Sequence, residues 1–460
     1  YSDIMTAVSR AWSAYQPQGS KMMPPRKPET FHITTFGCQM NLADSSTLVA
    51  TMTSRGFRRV PTEAEADLLI LNTCSVREKA EERVIGRLGE LYRFKKRNPQ
   101  LRIAVVGCMA QRLGDRLIEM VPHVDYVLGT DRLFQLPDVV EGVEGTSAIM
   151  TAFGHENIDS IQPIKETPHS GFVTISRGCD NYCTYCIVPY VRGRECSHDA
   201  DFVIDAVKRM VDEGVVEVTL LGQNVNSYRH GDISFPRLLQ RICYKTSVKR
   251  LRFMTSHPKD LSRELIDVMA SEPRLMRHIH FPLQSGNNRV LAKMGRDYTI
   301  EHYMSIVDYI RMKLDYVSLT TDLIVGFPSE TVEEYEDTLS AVRRIQYDSA
   351  FMFRYSIRPG TEAAAFDDDV PEPEKIRRLK RLIDLQQETS RKVNRRELGE
   401  VRFSLVEGRS RRSPDLFRAR TEGNKTVLFS GDEIEVGSVV PIEVTAADAF
   451  TLHGILARVN

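Results

Sequence analysis

Three cysteines in one short run constrain this chain more than any other feature. Cys179, Cys183 and Cys186 are separated by three and then two residues. Iron–sulfur clusters are commonly bound by four thiolates, so a run that offers three leaves one iron without a protein ligand. Such an iron can bind a small molecule and pass an electron to it. The spacing therefore predicts a reaction centre rather than a structural site.

Zinc and disulfide bonds are the alternatives for this run. Structural zinc sites pair closely spaced cysteines with a second pair or with histidines roughly 12 to 20 residues further on, and no such pair follows Cys186. Disulfides suit short secreted domains, whereas this chain has 460 residues, eight cysteines, and neither an apolar signal segment nor an apolar run of membrane length. We therefore expect a cytoplasmic protein without a membrane partner.

The length and the charge of the chain limit the number of its domains and the way it could bind a nucleic acid. With 460 residues, 42% of them hydrophobic and 27% charged, the chain is expected to fold into two or three domains. Lysine plus arginine equals aspartate plus glutamate, at 62 each. A nucleic-acid partner would therefore be held by local basic patches and not by the net charge.

Three further cysteines follow apolar runs nearer the start of the chain. Cys38, Cys74 and Cys108 each come directly after a run with the pattern of a buried strand. Helix-like stretches between these runs predict a doubly wound α/β domain at residues 31–150, after a disordered tail at residues 1–30. Because ligands bind outside the carboxyl ends of parallel strands, the three thiols are expected to converge in a second three-thiolate site. The alternatives are buried core cysteines or a redox-active pair.

The central part of the chain, residues 165–395, predicts a partial barrel of six βα units, open on one side. Six apolar runs alternate there with helix-like stretches, and they cover residues 172–176, 215–221, 251–254, 278–283, 317–325 and 350–355. The cysteine run resembles the loop of the radical S-adenosylmethionine (radical SAM) enzymes, which share its spacing and an aromatic residue such as Tyr185 before the third cysteine. This resemblance implies a 4Fe-4S cluster and SAM at the barrel mouth.

Polar and glycine-rich segments follow the predicted barrel strands, where active sites of βα barrels gather. Together they offer hydrogen-bond partners for SAM and room for its close approach. Ordinary turns are the alternative for each segment. The candidate SAM-binding residues are Gly222, Gln223, Asn224, Ser256, Gln284 and Ser285. His257 follows the third strand, but a loop histidine is more often structural than a general base.

A helix over residues 371–397 is predicted to brace the barrel and lead into the last domain. Its apolar face is expected to contain Ile376, Leu379, Leu382 and Ile383, with neighbouring arginines elsewhere. Cys243 belongs to neither cysteine trio. It lies in a helix-like run and is expected to pack against other side chains.

The last domain, residues 396–460, is predicted to be a small β-barrel because short strand-like runs alternate there with Gly, Ser and Asp. Basic residues mix with aromatic ones, which suits phosphate contact and base stacking. The candidate RNA-binding residues are Arg411, Arg412, Arg420 and Lys425, with Phe417 and Phe429 among them. A solvated basic surface is the alternative.

Five sequence segments narrow the resemblance to the radical SAM methylthiotransferases. Residues 37–41 (Gly-Cys-Gln-Met-Asn), 72–80 (Asn-Thr-Cys-Ser-Val-Arg-Glu-Lys-Ala) and 107–112 (Gly-Cys-Met-Ala-Gln-Arg) resemble their amino-terminal domain. Residues 412–416 and 420–425 resemble their TRAM RNA-binding domain. The segment after Cys38 is most similar to that of the branch that synthesises 2-methylthio-N6-dimethylallyladenosine in tRNA.

The resemblance implies an activity. The cluster at Cys179, Cys183 and Cys186 would bind and reduce SAM, and the radical formed would take the C2 hydrogen of an isopentenyl-type adenosine next to the anticodon. The cluster at Cys38, Cys74 and Cys108 would carry the sulfur that is methylated by another SAM and transferred. The implied partners are a tRNA anticodon stem-loop and a reductant protein such as flavodoxin or ferredoxin, and the expected state is a monomer.

Three other functions remain compatible with the sequence. A methylthiotransferase that modifies a ribosomal protein, or one that modifies threonylcarbamoyladenosine, would share this architecture. A non-enzymatic iron–sulfur protein that binds RNA is of another class, and it would have no need of an open iron.

Overall fold

The computed structural model describes residues 27–75, 78–143, 145–154 and 163–458. The chain separates into two compact units, Tyr1–Ser160 and Ile161–Asn460. The tail expected at residues 1–30 falls outside the described residues except for its last four, and Thr30 already belongs to the first strand. None of the described helices is both long and apolar enough to cross a membrane.

The first unit is a six-stranded parallel sheet with helices on both faces. Its elements are β1 (Thr30–Thr35), α1 (Gln39–Ser54), β2 (Arg58–Arg59), β3 (Leu68–Thr73), α2 (Glu78–Arg97), β4 (Arg102–Gly107), α3 (Cys108–Leu113), α4 (Asp115–Met120), β5 (Tyr126–Leu128), α5 (Leu136–Glu141) and β6 (Ile149–Met150). The strand order is β2-β1-β3-β4-β5-β6. One apolar core contains Leu48 of α1 and the other Leu88 of α2. This confirms the doubly wound α/β fold, because each face of the sheet is covered by its own helices.

The second unit begins with a partial barrel. Its strands and helices are β7 (Ile164–Thr167), β8 (Ser170–Thr174), β9 (Ser176–Arg177), α6 (Val188–Arg192), β10 (Cys196–Ser197), α7 (Ala200–Asp212), β11 (Glu217–Leu221), β12 (Arg229–His230), β13 (Ile233–Ser234), α8 (Phe235–Lys245), β14 (Arg250–Phe253), α9 (Arg263–Ser271), β15 (His278–His280), α10 (Asn288–Lys293), α11 (Ile300–Lys313), β16 (Ser318–Val325), α12 (Val332–Ile345), β17 (Ser349–Arg354) and α13 (Glu372–Arg395).

Six parallel strands of this unit form two arcs. The first arc has the order β14-β11-β8, with β7 antiparallel at its edge, and the second has the order β15-β16-β17. A bridge between Leu251 of β14 and Leu275, which precedes β15, connects them. The helices share one core with the outward face of the strands, which includes Val218, Leu251 and Leu323. The six predicted βα units are confirmed.

A closed five-stranded barrel ends the unit, with β18 (Val401–Arg409), β19 (Phe417–Arg420), β20 (Thr426–Ser430), β21 (Val439–Ala447) and β22 (Thr451–Leu456) in the order β18-β19-β20-β22-β21. The predicted small β-barrel is confirmed, and the arginines of β19 alternate with buried Phe417 and Ala419. Phe417 and Phe429 lie inside the barrel, with ring centroids 5.7 Å apart. Their predicted role in base stacking is therefore wrong.

The apolar face that the sequence predicted for α13 is partly wrong. Leu382 is buried, as expected, but Ile376 is 53% exposed. Arg378, which the helical pattern placed elsewhere, is buried and pairs with Glu330 at 2.7 Å and with Glu374 at 2.8 Å. The buried carboxylate of Glu330 can hold an arginine inside the protein because the pairing offsets the loss of hydration.

The small barrel is attached to the amino-terminal ends of the large barrel's strands. Arg250 and Arg252 open β14, and both pair with Glu217 of β11 at 2.8 Å. Arg250 also donates to the carbonyl of Phe403, and Arg252 donates to the carbonyl of Thr421 at 2.7 Å. These buried bonds close the floor of the large barrel with the backbone of the small one.

Candidate functional site

The first cysteine trio lies at the point where the strand order of the sheet reverses. Cys38 follows β1 and opens α1, Cys74 follows β3, and Cys108 follows β4 and opens α3. These three strands are adjacent and parallel. Sheets of this order bind ligands in the crevice between β1 and β3 at their carboxyl ends. The three cysteines therefore lie at the carboxyl ends of three adjacent strands, as expected, and a shared cluster site there stays a prediction.

Glycines before two of the cysteines let the strand ends approach one another. Gly37 has a φ of +134°, and a Cβ added there would lie 2.7 Å from Cβ of Cys74. Gly107 has a φ of +93°, and a Cβ there would lie 2.7 Å from the carbonyl oxygen of Thr73. Only glycine fits such close contacts at these dihedral angles. The segments that carry Cys38 and Cys108 are therefore packed directly against the end of β3.

Hydrogen bonds fix the side chains around this trio. Asn41 is fully buried, and its Oδ1 accepts from the backbone amide of Cys38 at 3.4 Å, while its Nδ2 donates to Asn72 Oδ1 and to the carbonyl of Thr73, both at 3.1 Å. On the other side of Cys74, Arg112 of α3 donates to Ser75 at 2.9 Å and pairs with Glu81 of α2 at 2.6 Å. Both networks join neighbouring strand ends, so they hold the cysteine segments in place.

The second cysteine trio lies in the loop between β9 and α6. Cys179 and Cys183 are buried, Cys186 is half-buried, and the amide of Cys186 donates to the carbonyl of Cys183 at 2.8 Å. Burial raises the pKa of Cys179 to about 11 and that of Cys186 to about 12, and the neighbouring thiols add to both shifts. Bound iron would supply the positive charge that three thiolates need in such a place.

Arg296 is a site residue that sequence reasoning missed. Its guanidinium is buried and donates to Cys183 Sγ at 3.2 Å and to the carbonyl of Pro282 at 3.3 Å. Tyr298, two residues further on, donates to the carbonyl of Leu283 at 2.7 Å. Arg296 lies 113 residues from Cys183, so no local sequence pattern could have connected them.

The barrel mouth beside this loop contains buried polar atoms that have no hydrogen-bond partner in the described protein. Four of them lie in β9 or shortly after β11 and β14, and they are Ser176 Oγ, Gln223 Oε1, Ser256 Oγ and His257 Nε2. Buried polar groups are rarely left unpaired, so such a set indicates a missing polar ligand. Gln223 and Ser256 were predicted here, whereas Ser176 and His257 were not predicted to bind.

His257 is neutral at physiological pH. Burial, together with the positive charges of Arg296 and Lys259, lowers its pKa to about 2. Its Nδ1 accepts from the backbone amide of Lys259 at 3.3 Å, so Nε2 carries the proton. His257 therefore offers one N–H donor to the mouth, which fits hydrogen bonding and not base catalysis.

The other predicted SAM-binding residues have different surroundings. Gly222 packs against Ser176, where a Cβ would lie 2.4 Å from Ser176 Oγ. Asn224 braces the loop, because it donates to Asp260 at 2.6 Å and accepts from the amide of His257 at 3.1 Å.

Gln284 has a φ of +68° and bridges to Leu323 of β16. Ser285 faces outward, with its Oγ 3.4 Å from Thr338 Oγ1 of α12. A SAM contact does not fit Ser285, because its side chain packs on a helix.

The donor sets fit iron–sulfur clusters better than a single ion. Within the residues the structure describes, no three His, Cys, Asp or Glu side chains are placed to hold one metal ion. In a cluster each cysteine binds a different iron, so the thiols need to surround the cluster and not a common centre. Both trios are compatible with such an arrangement, because one has three cysteines on one short loop and the other has three cysteines at the ends of adjacent strands.

Two of the four predicted RNA-binding residues are exposed to solvent. Arg411 and Arg412 are exposed in the loop between β18 and β19. Arg420 pairs with Glu407 at 2.9 Å. The Lys425 side chain is only 9% exposed and lies between Asp348 at 2.7 Å and Glu397 at 3.0 Å, so the prediction that it contacts RNA does not fit its position. It joins the small barrel to the residues that precede β17 and follow α13.

Three parts of the chain match known families. Residues 30–129 match the family described as Uncharacterized protein family UPF0004, residues 173–342 match the radical SAM superfamily, and residues 395–457 match the TRAM domain.

Two relatives that match this chain over nearly its whole length carry the same name. The tRNA-2-methylthio-N(6)-dimethylallyladenosine synthase of Carboxydothermus hydrogenoformans is 45% identical over 93% of this chain and 99% of its own length. The enzyme of the same name from Moorella thermoacetica is 44% identical over 93% of this chain and 98% of its own length.

Solved structures with a similar fold are more distant. The radical S-adenosylmethionine methyltransferase TsrM from Kitasatospora setae aligns with a TM-score of 0.57 and 12% identity, covering 73% of this chain and 75% of that one. The cobalamin-dependent S-adenosylmethionine radical enzyme OxsB aligns with a TM-score of 0.52 and 13% identity, covering 80% and 61%. At this identity the likeness concerns the fold alone.

Proposed function

The chain belongs to the tRNA-2-methylthio-N(6)-dimethylallyladenosine synthases, and we propose that its two cysteine trios are the cluster sites of that activity. It is a radical SAM tRNA methylthiotransferase that uses 4Fe-4S clusters and SAM. Its substrate is tRNA, and its last domain is a TRAM domain.

Cys179, Cys183 and Cys186 would hold the cluster that binds SAM, and Cys38, Cys74 and Cys108 would hold the second cluster. When bound, these cofactors supply the one-electron chemistry, the sulfur and the methyl group that replace the C2 hydrogen of an N6-isopentenyl adenosine. The protein contributes binding, orientation and the exclusion of water. The observation that supports the assignment best is the position of both trios at strand carboxyl ends, where each fold places its active site.

The residues around the SAM cluster would act by position and charge. Arg296 places a positive charge against Cys183 Sγ at 3.2 Å, where it would offset the negative charge of a thiolate-bound cluster. Gln223, Ser256 and His257 offer an acceptor, a hydroxyl and an N–H donor to SAM. These groups are buried, so their hydrogen bonds would form without competition from bulk water.

Direct assay separates this function from its rivals. Anaerobically reconstituted protein should contain about eight irons per chain by the two-cluster count, cleave SAM when reduced, and form methylthio nucleosides in tRNA that carries N6-isopentenyl adenosine. Product on a ribosomal-protein peptide instead would move the chain to that branch. Intact clusters without SAM cleavage would favour a non-enzymatic RNA-binding protein.

We also propose a cytoplasmic location, because tRNA is found there, and a low-potential reductant such as flavodoxin or ferredoxin. A monomer suffices for this proposal, since both trios and the TRAM domain belong to one chain.

Arg411 and Arg412 are proposed to contact tRNA phosphates. Replacing both by glutamine should weaken tRNA binding and lower the salt slope of log Kd by about two, because about one counterion is released per phosphate contact. The measurement is a tRNA titration at several salt concentrations.

The matched control replaces Arg391 and Lys392, which are exposed on α13, by glutamine. An equal loss in both double variants would show a general charge effect and no specific contact. Deleting the TRAM domain is a poorer test, because Arg250 and Arg252 would lose their buried carbonyl partners.

A further inference from the structure

The lumen wall formed by β15, β16 and β17 contains a half-exposed aromatic ring beside a histidine and a carboxylate. Ile279, Leu323 and Met352 of these strands pack against the helix core outside the barrel. Because side chains alternate along a strand, His280, Asp322 and Phe351 face the lumen. None of the three has a role in the cluster or SAM sites described above.

The side chain of Phe351 is unusually exposed to solvent for a residue of a barrel strand. It is 55% exposed, although its neighbours Ala350 and Met352 pack against the core. It is paired in register with Asp322, and its ring lies 6.1 Å from the ring of His280, nearly edge-to-face at 71°. One face of an aromatic ring is therefore offered to a ligand in the lumen.

His280 and Asp322 form a fixed polar pair next to that ring. His280 Nδ1 lies 3.0 Å from Thr320 Oγ1, and its Nε2 lies 3.4 Å from Asp322 Oδ2. The Asp322 side chain is 30% exposed, and among the described residues it pairs with no lysine or arginine. A carboxylate in this position can accept a hydrogen bond from a ligand.

The floor of the lumen cannot admit a ligand. Glu217, Arg250 and Arg252 fill it as a buried charged group, and the backbone of the small barrel covers it from below. A ligand of this wall must therefore enter from the mouth or through the open side beside β17, the edge strand of its arc.

We propose that Phe351, His280 and Asp322 bind the purine ring of the target adenosine and select a neutral N6 substituent. The proposal rests on the function proposed above. Aromatic side chains bind unstacked bases by stacking, and an N6-alkylated adenine keeps one N6–H that can donate to Asp322. An anionic substituent, as in threonylcarbamoyladenosine, or an aspartate side chain of a protein substrate, would be repelled by the Asp322 carboxylate.

Phe351→Leu tests the stacking contact. We expect kcat/KM for methylthiolation of isopentenyl-containing tRNA to fall about tenfold, within the range for one lost base stack, and Phe351→Tyr to restore it. Phe450→Leu is the matched control, because Phe450 is a 74% exposed phenylalanine on the small barrel. Iron and sulfide contents equal to wild type would show that each variant is intact.

Asp322→Asn tests the selectivity. The ratio of kcat/KM for isopentenyl-containing tRNA to that for threonylcarbamoyl-containing tRNA should fall at least tenfold, since the repulsion is removed. An unchanged ratio overturns the role of Asp322, and an unchanged kcat/KM in Phe351→Leu overturns that of Phe351. Wild-type protein that modifies no tRNA would instead contradict the function itself, so the two failures are distinguishable.

Discussion

Replacing Cys183 by alanine should abolish SAM cleavage and leave about half of the iron in place. Cys183 is one of the two buried thiols of its trio and accepts a hydrogen bond from the Arg296 guanidinium. Loss of an outer contact of a metal site typically costs 10- to 100-fold, so loss of a ligand should reduce cleavage by more than about 100-fold. The measurements are 5′-deoxyadenosine formation under reducing, anaerobic conditions and the iron and sulfide content per chain.

Cys243→Ala is the matched control for this variant. Cys243 is also buried, but it lies in α8 within the apolar core of the barrel, as the sequence predicted. Its replacement should keep full iron and SAM cleavage at a modest cost in stability. Complete loss of iron in Cys183→Ala would show that the two trios are not independent, and retained cleavage would show that the triplet is not the reaction centre.

Local sequence patterns predicted the strands and the cysteine positions well, because both depend on short-range rules. A buried strand such as β3 or β4 can be predicted from its apolar composition. Parallel pairing then brings the carboxyl ends of neighbouring strands to the same edge of the sheet. Cys38, Cys74 and Cys108 could therefore be placed at one edge of the sheet without knowledge of any contact.

The failures concern residues whose surroundings are distant in sequence. Lys425 is basic and lies in a basic segment, but Asp348 and Glu397 bury its charge. Arg378 is likewise drawn inside by Glu330. A charged side chain is expected at the surface unless a partner is known, and the partner lies 48 residues away for Arg378. Composition cannot supply that information.

The same limit applies to the SAM site. Gln223 and Ser256 were predicted from their place after barrel strands, and both have unpaired buried oxygen atoms. Ser285 was predicted by the same rule, but the chain turns at Gln284, with its positive φ, and directs Ser285 toward α12. Position after a strand predicts proximity to the mouth, whereas the direction of a side chain depends on backbone dihedrals that the sequence did not reveal.

Cys74→Ala should have the opposite effect to Cys183→Ala. Cys74 belongs to the first unit of the chain, and Cys179, Cys183 and Cys186 belong to the second. We therefore expect reduced protein still to form 5′-deoxyadenosine from SAM, about half of the iron to remain, and no methylthio nucleoside to appear in tRNA. Nucleoside analysis of the tRNA and SAM cleavage are measured on the same reaction.

The two cysteine variants together test the division of labour between the trios. If Cys74→Ala methylthiolates tRNA normally, the first trio does not take part in sulfur transfer, and the contacts of Cys38 with Asn41 and of Cys74 with Gly37 serve only the fold. If Cys74→Ala loses SAM cleavage as well, the two sites depend on each other. Only the crossed pattern, in which each variant loses one activity and keeps half of the iron, agrees with one trio that binds SAM and another that supplies sulfur.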